Sequence, residues 1–154
     1  MRILFVIGPA FSGKSIYIQR EFPQATHIKI STFEKHVFEA QSNLEVNKIA
    51  DNAQLYCSQE LKNRILHAKE DETIILEHQM LKKKQRAFYL NAVREVTDTP
   101  VECIVMSPTD EMVKKLIENI EQLFIFYEYD KGKFELPSLD EGFQSIMIER
   151  PFKE

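Results

Sequence analysis

The residues with the clearest chemical potential stand together near the start of the 154-residue chain, as Gly8-Pro9-Ala10-Phe11-Ser12-Gly13-Lys14-Ser15. They fit the pattern GxxxxGK[ST], and two of the chain's four glycines lie among them. Glycines let a backbone turn tightly, so that successive N–H groups point into one concavity and hold an anion there. A helix N-terminus at the end of such a loop adds positive partial charge. Lys14 would then reach the outer phosphates of a nucleoside triphosphate, and the Ser15 hydroxyl would sit on a magnesium ion bridging the same phosphates. The expected binding set for ATP or another nucleoside triphosphate is Gly8, Pro9, Ala10, Phe11, Ser12, Gly13, Lys14, Ser15 and the following Ile16, with Ser15 also a metal ligand.

A loop of this kind works only between a buried strand and a helix, and the sequence supplies both. Arg2 to Ile7 is an aliphatic and aromatic run ended by Gly8-Pro9, the mark of a strand buried on both faces; Lys14 to Arg20 reads as helix. Four more apolar runs, His27 to Ile30, Thr73 to Leu76, Val101 to Met106 and Ser145 to Ile148, predict further strands. Between them Ile49, Ala53, Cys57, Leu61 and Ile65 recur at helical spacing, as do Phe88, Ala92 and Val96. Ser107-Pro108-Thr109-Asp110 predicts another helix, with Ser107 as its N-cap, Pro108 at the first helical position and an acid in the first turn. Strands alternating with helices imply an α/β fold whose parallel sheet is covered on both faces.

Composition narrows the function classes. At 44% hydrophobic and 29% charged, the chain belongs with globular proteins rather than disordered tails or rods, and its length suits one domain over residues 1–154. A net charge of −4 argues against a protein that coats nucleic acid. Cys57 and Cys103 stand alone, without the spacing of a zinc site or a disulfide framework. The apolar run at Met1 to Ile7 is too short for a signal peptide's core, and no run is long enough to span a membrane, so a cytoplasmic location is expected.

From the glycine loop onward the chain resembles the P-loop kinases of the polynucleotide kinase and zeta-toxin-like (AAA ATPase-like) group. The resemblance implies a three-layer α/β/α sandwich with a five-stranded parallel sheet in the order 2-3-1-4-5. It also implies an aspartate after the second strand that accepts the proton of the acceptor hydroxyl. The matching stretch here is Ile30-Ser31-Thr32-Phe33-Glu34-Lys35, with Phe33 in the aspartate's place and Glu34 one residue later. Glu34 is thus either the catalytic base or a solvated residue in the first turn of the next helix, and Ser31 is a candidate substrate contact. The third strand and its exit, Thr73 to Leu81, place Glu77 at the position of the family's second aspartate. There it would hold magnesium or touch the acceptor; the plainer alternative is a carboxylate capping the loop. His78 is a further candidate substrate contact, although an isolated histidine is more often structural. Lys82, Lys83, Lys84 and Arg86 either steer an anionic acceptor, with Arg86 as the phosphate fork, or form a solvated helix face. Phe134 to Phe143 resembles the family's Pro…Glu-Gly-Phe segment, which implies that Glu141 and Gly142 lie near the nucleotide base; taken alone, Gly142 is a turn residue and Phe143 a core anchor.

One departure is prominent. Kinases of this group carry a lid with arginines that stabilise charge on the transferring phosphoryl group. Between Glu95 and Glu149 this chain has none, and the lid is expected to be shortened to about residues 116–133, with Lys114, Lys115, Lys131 and Lys133 as the cations of the region. Losing such an arginine costs roughly 10³-fold or more in rate. Leu123 to Tyr129 is an apolar and aromatic run that suits either a core or a partner surface. The expected function is transfer of the γ-phosphate of ATP, with magnesium, to a hydroxyl of a nucleic acid end, a nucleotide or a small molecule. The alternatives are a nucleotide-binding module with weak or no transfer, and a simple NTPase.

Overall fold

The computed structural model describes residues 1–40 and 43–153. The sheet is built from β1 (Arg2–Ile7), β2 (Thr26–Lys29), β3 (Thr73–Glu77), β4 (Val101–Met106) and β5 (Phe143–Glu149), joined by α1 (Lys14–Glu21), α2 (Ile30–Ala40), α3 (Val46–Leu66), α4 (Lys83–Val96), α5 (Asp110–Leu116) and α6 (Glu121–Lys133), with one turn of 3-10 helix at Leu139–Glu141. All strand pairs are parallel and the order is 2-3-1-4-5, as expected.

β1 runs through the centre, between β3 and β4. Ile3, Leu4, Phe5, Val6 and Ile7 have no exposed surface, which is why this run shows no polar alternation. Burying a side chain of this kind stabilises the fold by about 1.5–3 kcal/mol each. Odd-numbered β1 residues face a large core completed by Ala53, Cys57, Leu61 and Ile65 of α3 and by Tyr89, Leu90 and Val93 of α4. Leu4 and Val6 face a smaller core with Ile75, Ile104 and Met106 under Tyr17 and Ile18 of α1. The outer layers are therefore unequal. Both cysteines are buried thiols, as their isolation in sequence suggested.

Several element ends differ from the sequence expectation by a residue or two, and two of the differences change where a helix starts. β2 ends at Lys29 and α2 starts at Ile30 with no loop between them, so Ser31, Phe33 and Glu34 are helical residues. α5 starts at Asp110, not Pro108: Thr109 is the N-cap, its hydroxyl accepting the Met112 N–H at 3.2 Å. A threonine hydroxyl that can accept this bond outcompetes the start signal of Pro108. None of the described helices is long and apolar enough to cross a membrane.

Candidate functional site

The loop from Gly8 to Ser15 leaves the carboxyl end of the central strand, where ligands bind in open parallel sheets. Its first turn is pinned to the neighbouring strand exit, because the Gly8 N–H donates to the Gln79 carbonyl at 3.1 Å. Gly8 has φ +149°, and a Cβ there would lie 2.9 Å from Ser12 Oγ and 3.1 Å from the Met106 carbonyl oxygen. No larger residue fits. Gly13, the N-cap of α1, has φ +86°, and Phe11 between them is also left-handed at φ +64°. Ser12 is wholly buried and its Oγ lacks a partner; an unsatisfied hydroxyl inside such a loop is one that an anion's oxygen would complete.

Lys14 curls back over the loop, donating to the carbonyls of Gly8 at 2.9 Å and Pro9 at 2.8 Å. Burial disfavours its charged form and brings its pKa down to about 8, against the opposing pull of Glu77 and Asp130. Ser15 Oγ donates to Glu77, 2.8 Å from one carboxylate oxygen and 3.0 Å from the other. His27 reaches the same carboxylate from β2, its Nε2 2.8 Å from Oε1. A carboxylate only accepts, so this imidazole nitrogen carries the proton. Burial alone would raise the Glu77 pKa, but the bonds from His27 and Ser15 and the charge of Lys29 outweigh it and hold the group ionised below the usual range.

Lys14, Ser15 and Glu77 open into a cleft of about 450 Å³ whose walls include Phe11, Ile16, Lys29, Ser31, Glu34, Gln79 and Leu116. Because α2 begins at Ile30, each step along it turns about 100°. Phe33 therefore packs against the core, while Ser31 and Glu34, three residues apart, share the cleft face. Glu34 is exposed at the rim, and partial burial of its carboxyl raises its pKa.

The other sequence candidates lie elsewhere. Arg86 is buried in α4, and its guanidinium binds Glu141 at 2.7 and 3.2 Å, the Met80 carbonyl at 3.0 Å and the Glu135 carbonyl at 2.8 Å. Arg86 and Glu141 thus meet each other rather than the cleft, and join α4 to the segment before β5. Gly142, at φ +118°, ends the 3-10 turn; Phe143 enters the core edge-on to Phe5, with ring centres 5.9 Å apart. His78 lies edge-on to Tyr89 with its Nδ1 buried and unpartnered. Burial, helped by the charge of Lys14, lowers its pKa to about 3, so it is neutral at ordinary pH. Sequence reasoning missed His27, Lys29 and Gln79, which arrive through strand pairing and strand-exit geometry. It also missed Asp130 of α6, whose carboxylate accepts the Ala10 N–H at 2.8 Å.

The arrangement fits a phosphate chain and a hard cation. Among the described residues no cluster of three or more histidine, cysteine or acidic side chains could cage a metal. The Ser15 hydroxyl and the Glu77 carboxylate are instead two oxygen donors side by side, which suits magnesium because that ion keeps waters and phosphates for its remaining positions.

The sheet order, the all-parallel ladder and the placement of the loop define an α/β fold with a five-stranded parallel sheet that solved kinase structures also adopt. Solved structures share it along most of their length. A candidate kinase from Chloroflexus aurantiacus superposes with a TM-score of 0.70 at 11% identity, covering 96% of this chain and 84% of that one. A sugar kinase from Janibacter sp. gives 0.63 at 15% identity, with 98% and 88% covered, and a gluconokinase from Sinorhizobium meliloti gives 0.59 at 11%, with 96% and 81% covered. At these identities the likeness is one of fold. No family model matches the sequence, and no curated protein matches it significantly.

Proposed function

We propose that this chain is an ATP-dependent phosphotransferase that moves the γ-phosphate to the hydroxyl of an acceptor held in the cleft beside α2. One observation carries the reading: Lys14, the Ser15–Glu77 pair and Glu34 line a single cleft at the carboxyl ends of β1 and β3. The amides at the start of α1 hold phosphate oxygens, and Lys14 leaves the carbonyls of Gly8 and Pro9 to neutralise the outer ones. Ser15 and Glu77 would hold magnesium, which when bound would screen the charge of the phosphates. His27 keeps the Glu77 carboxylate turned toward Ser15. Glu34 accepts the hydroxyl proton as the acceptor oxygen bonds to phosphorus and the bond to the ADP oxygen breaks; its raised pKa makes it a better base than a free carboxylate. In this reading the shortened lid is the span 116–133, which holds α6 and the turn that leads into it.

Among acceptors, a small hydroxyl compound is favoured over a nucleic acid end. Arg86 is tied to Glu141, and the cations lining the cleft are Lys14 and Lys29. Membership of the polynucleotide kinase and zeta-toxin-like group rests on the sequence motifs. The sugar kinase and gluconokinase folds support including polyols and sugar acids among trial acceptors. A second reading, nucleotide binding with little transfer, is favoured by the absence of arginine from 96–148.

The test is ATP labelled at the γ-position, with magnesium, offered to sugars, sugar acids, nucleosides and 5′-hydroxyl oligonucleotides. Transfer to at least one acceptor is expected, slowed about 10²-fold or more by Glu34→Gln at unchanged ATP affinity. ATP binding without transfer to any acceptor would leave the second reading in its place.

A further inference from the structure

Asp130 contributes a negative charge to the glycine loop. It lies in α6 three residues after Tyr127, which is buried against Val113 of α5 and Ile117 just after that helix. At this helical spacing the two side chains share a face, so the packing of Tyr127 delivers Asp130 to the loop. Lys131, next in sequence, pairs with Asp110 at 3.5 Å and holds the same end of α6 against α5.

The place where the carboxylate lands has a specific meaning. The phosphate nearest the nucleoside meets amides at the start of α1, and the outermost phosphate lies where Lys14 reaches. Lys14 Nζ rests on the carbonyls of Gly8 and Pro9, and the next amide along the chain, that of Ala10, is the one that Asp130 occupies. The charge of Asp130 is also felt at Lys14, where it favours the ammonium form. A carboxylate on a loop amide beside the loop's lysine occupies the position and carries the sign of a terminal phosphate oxygen.

We propose that Asp130 is a specificity-determining residue of the nucleotide site: it stands in for oxygens of the outermost phosphate and sets the preference between nucleoside diphosphate and triphosphate. The inference rests on the nucleotide reading of the loop. A diphosphate leaves the Asp130–Ala10 bond in place. A triphosphate must displace or oppose it, because like charges held at contact distance repel.

The test is titration calorimetry of ADP and ATP, each with magnesium, on the wild-type chain and on Asp130→Asn, Asp130→Ser and Asp130→Glu, with thermal melts to verify folding. The affinity for ATP relative to ADP should rise about tenfold in the asparagine and serine variants and stay near the wild-type value in the glutamate variant, which keeps the charge. The same ratio in all four folded proteins overturns the inference and leaves the nucleotide reading standing. Failure of the wild-type chain and of every variant to bind either nucleotide overturns both.

Discussion

Lys14 shows how a single residue ties stability to binding. An ammonium held in the loop at 8% exposure is costly, and its pKa, lowered from 10.5 to about 8, measures that cost. The sign follows from proton binding. Between pH 8 and 10.5 the unfolded chain keeps a proton on this lysine that the folded chain has released, so folding becomes more favourable as pH rises through that window. Below pH 8 the penalty is present in full. Lys14→Met should therefore raise stability at pH 7 by on the order of 2 kcal/mol, an advantage that shrinks toward pH 10, while abolishing ATP binding; urea melts at both pH values and calorimetry check this. Lys14 and Ser15 were legible in the sequence because eight contiguous residues specify them. His27 and Asp130 were not, since each becomes a neighbour of the loop only through tertiary structure, and no local pattern distinguishes an isolated histidine on a short strand or an acid within an aromatic helix.

At the scale of elements, strands were easier to read than the helices that orient the site. β1 and β4 match their expected spans because fully buried parallel strands are continuous apolar runs ended by polar or turn residues. The start of α2 was hidden, since no loop separates it from β2, and this start is what turns Glu34 rather than Phe33 toward the cleft. Arg86 was misleading for a related reason: a basic run suggests a solvated or anion-binding face, whereas one member of this run is drawn inward by Glu141. That pair joins α4 to the segment before β5 and is almost fully buried, with side-chain exposures of 1% and 4%. Removing one partner strands a charge, whereas replacing both can restore apolar packing. Arg86→Ala should lose about 3–5 kcal/mol in denaturant titrations. Arg86→Met combined with Glu141→Leu should recover most of that, and nucleotide affinity per folded molecule should be unchanged, because neither side chain lines the cleft.

Over the whole molecule, residues distant in sequence converge on the loop. Gly13 lies so close to Pro151, which follows β5, that a Cβ on it would fall 2.3 Å from the proline's own Cβ. Arg20 of α1 holds the same segment by donating to the backbone carbonyls of Arg150 and Pro151. Gly13→Ala would meet both this collision and a left-handed backbone. It should lose about 2 kcal/mol or more and expose residues 150–153 to faster hydrogen exchange; retention of wild-type stability and protection would contradict the contact.

The central position of β1 also governs how the sheet is assembled during synthesis. Its hydrogen-bonding partners are β3, about seventy residues later, and β4, about a hundred. At roughly 5–20 residues per second, the most apolar segment of the chain waits on the order of 5–20 s on the ribosome before both flanking strands exist. During that interval it is a natural client for a chaperone, and a chain halted before Val101 would carry a phosphate loop with no second neighbour to support its strand.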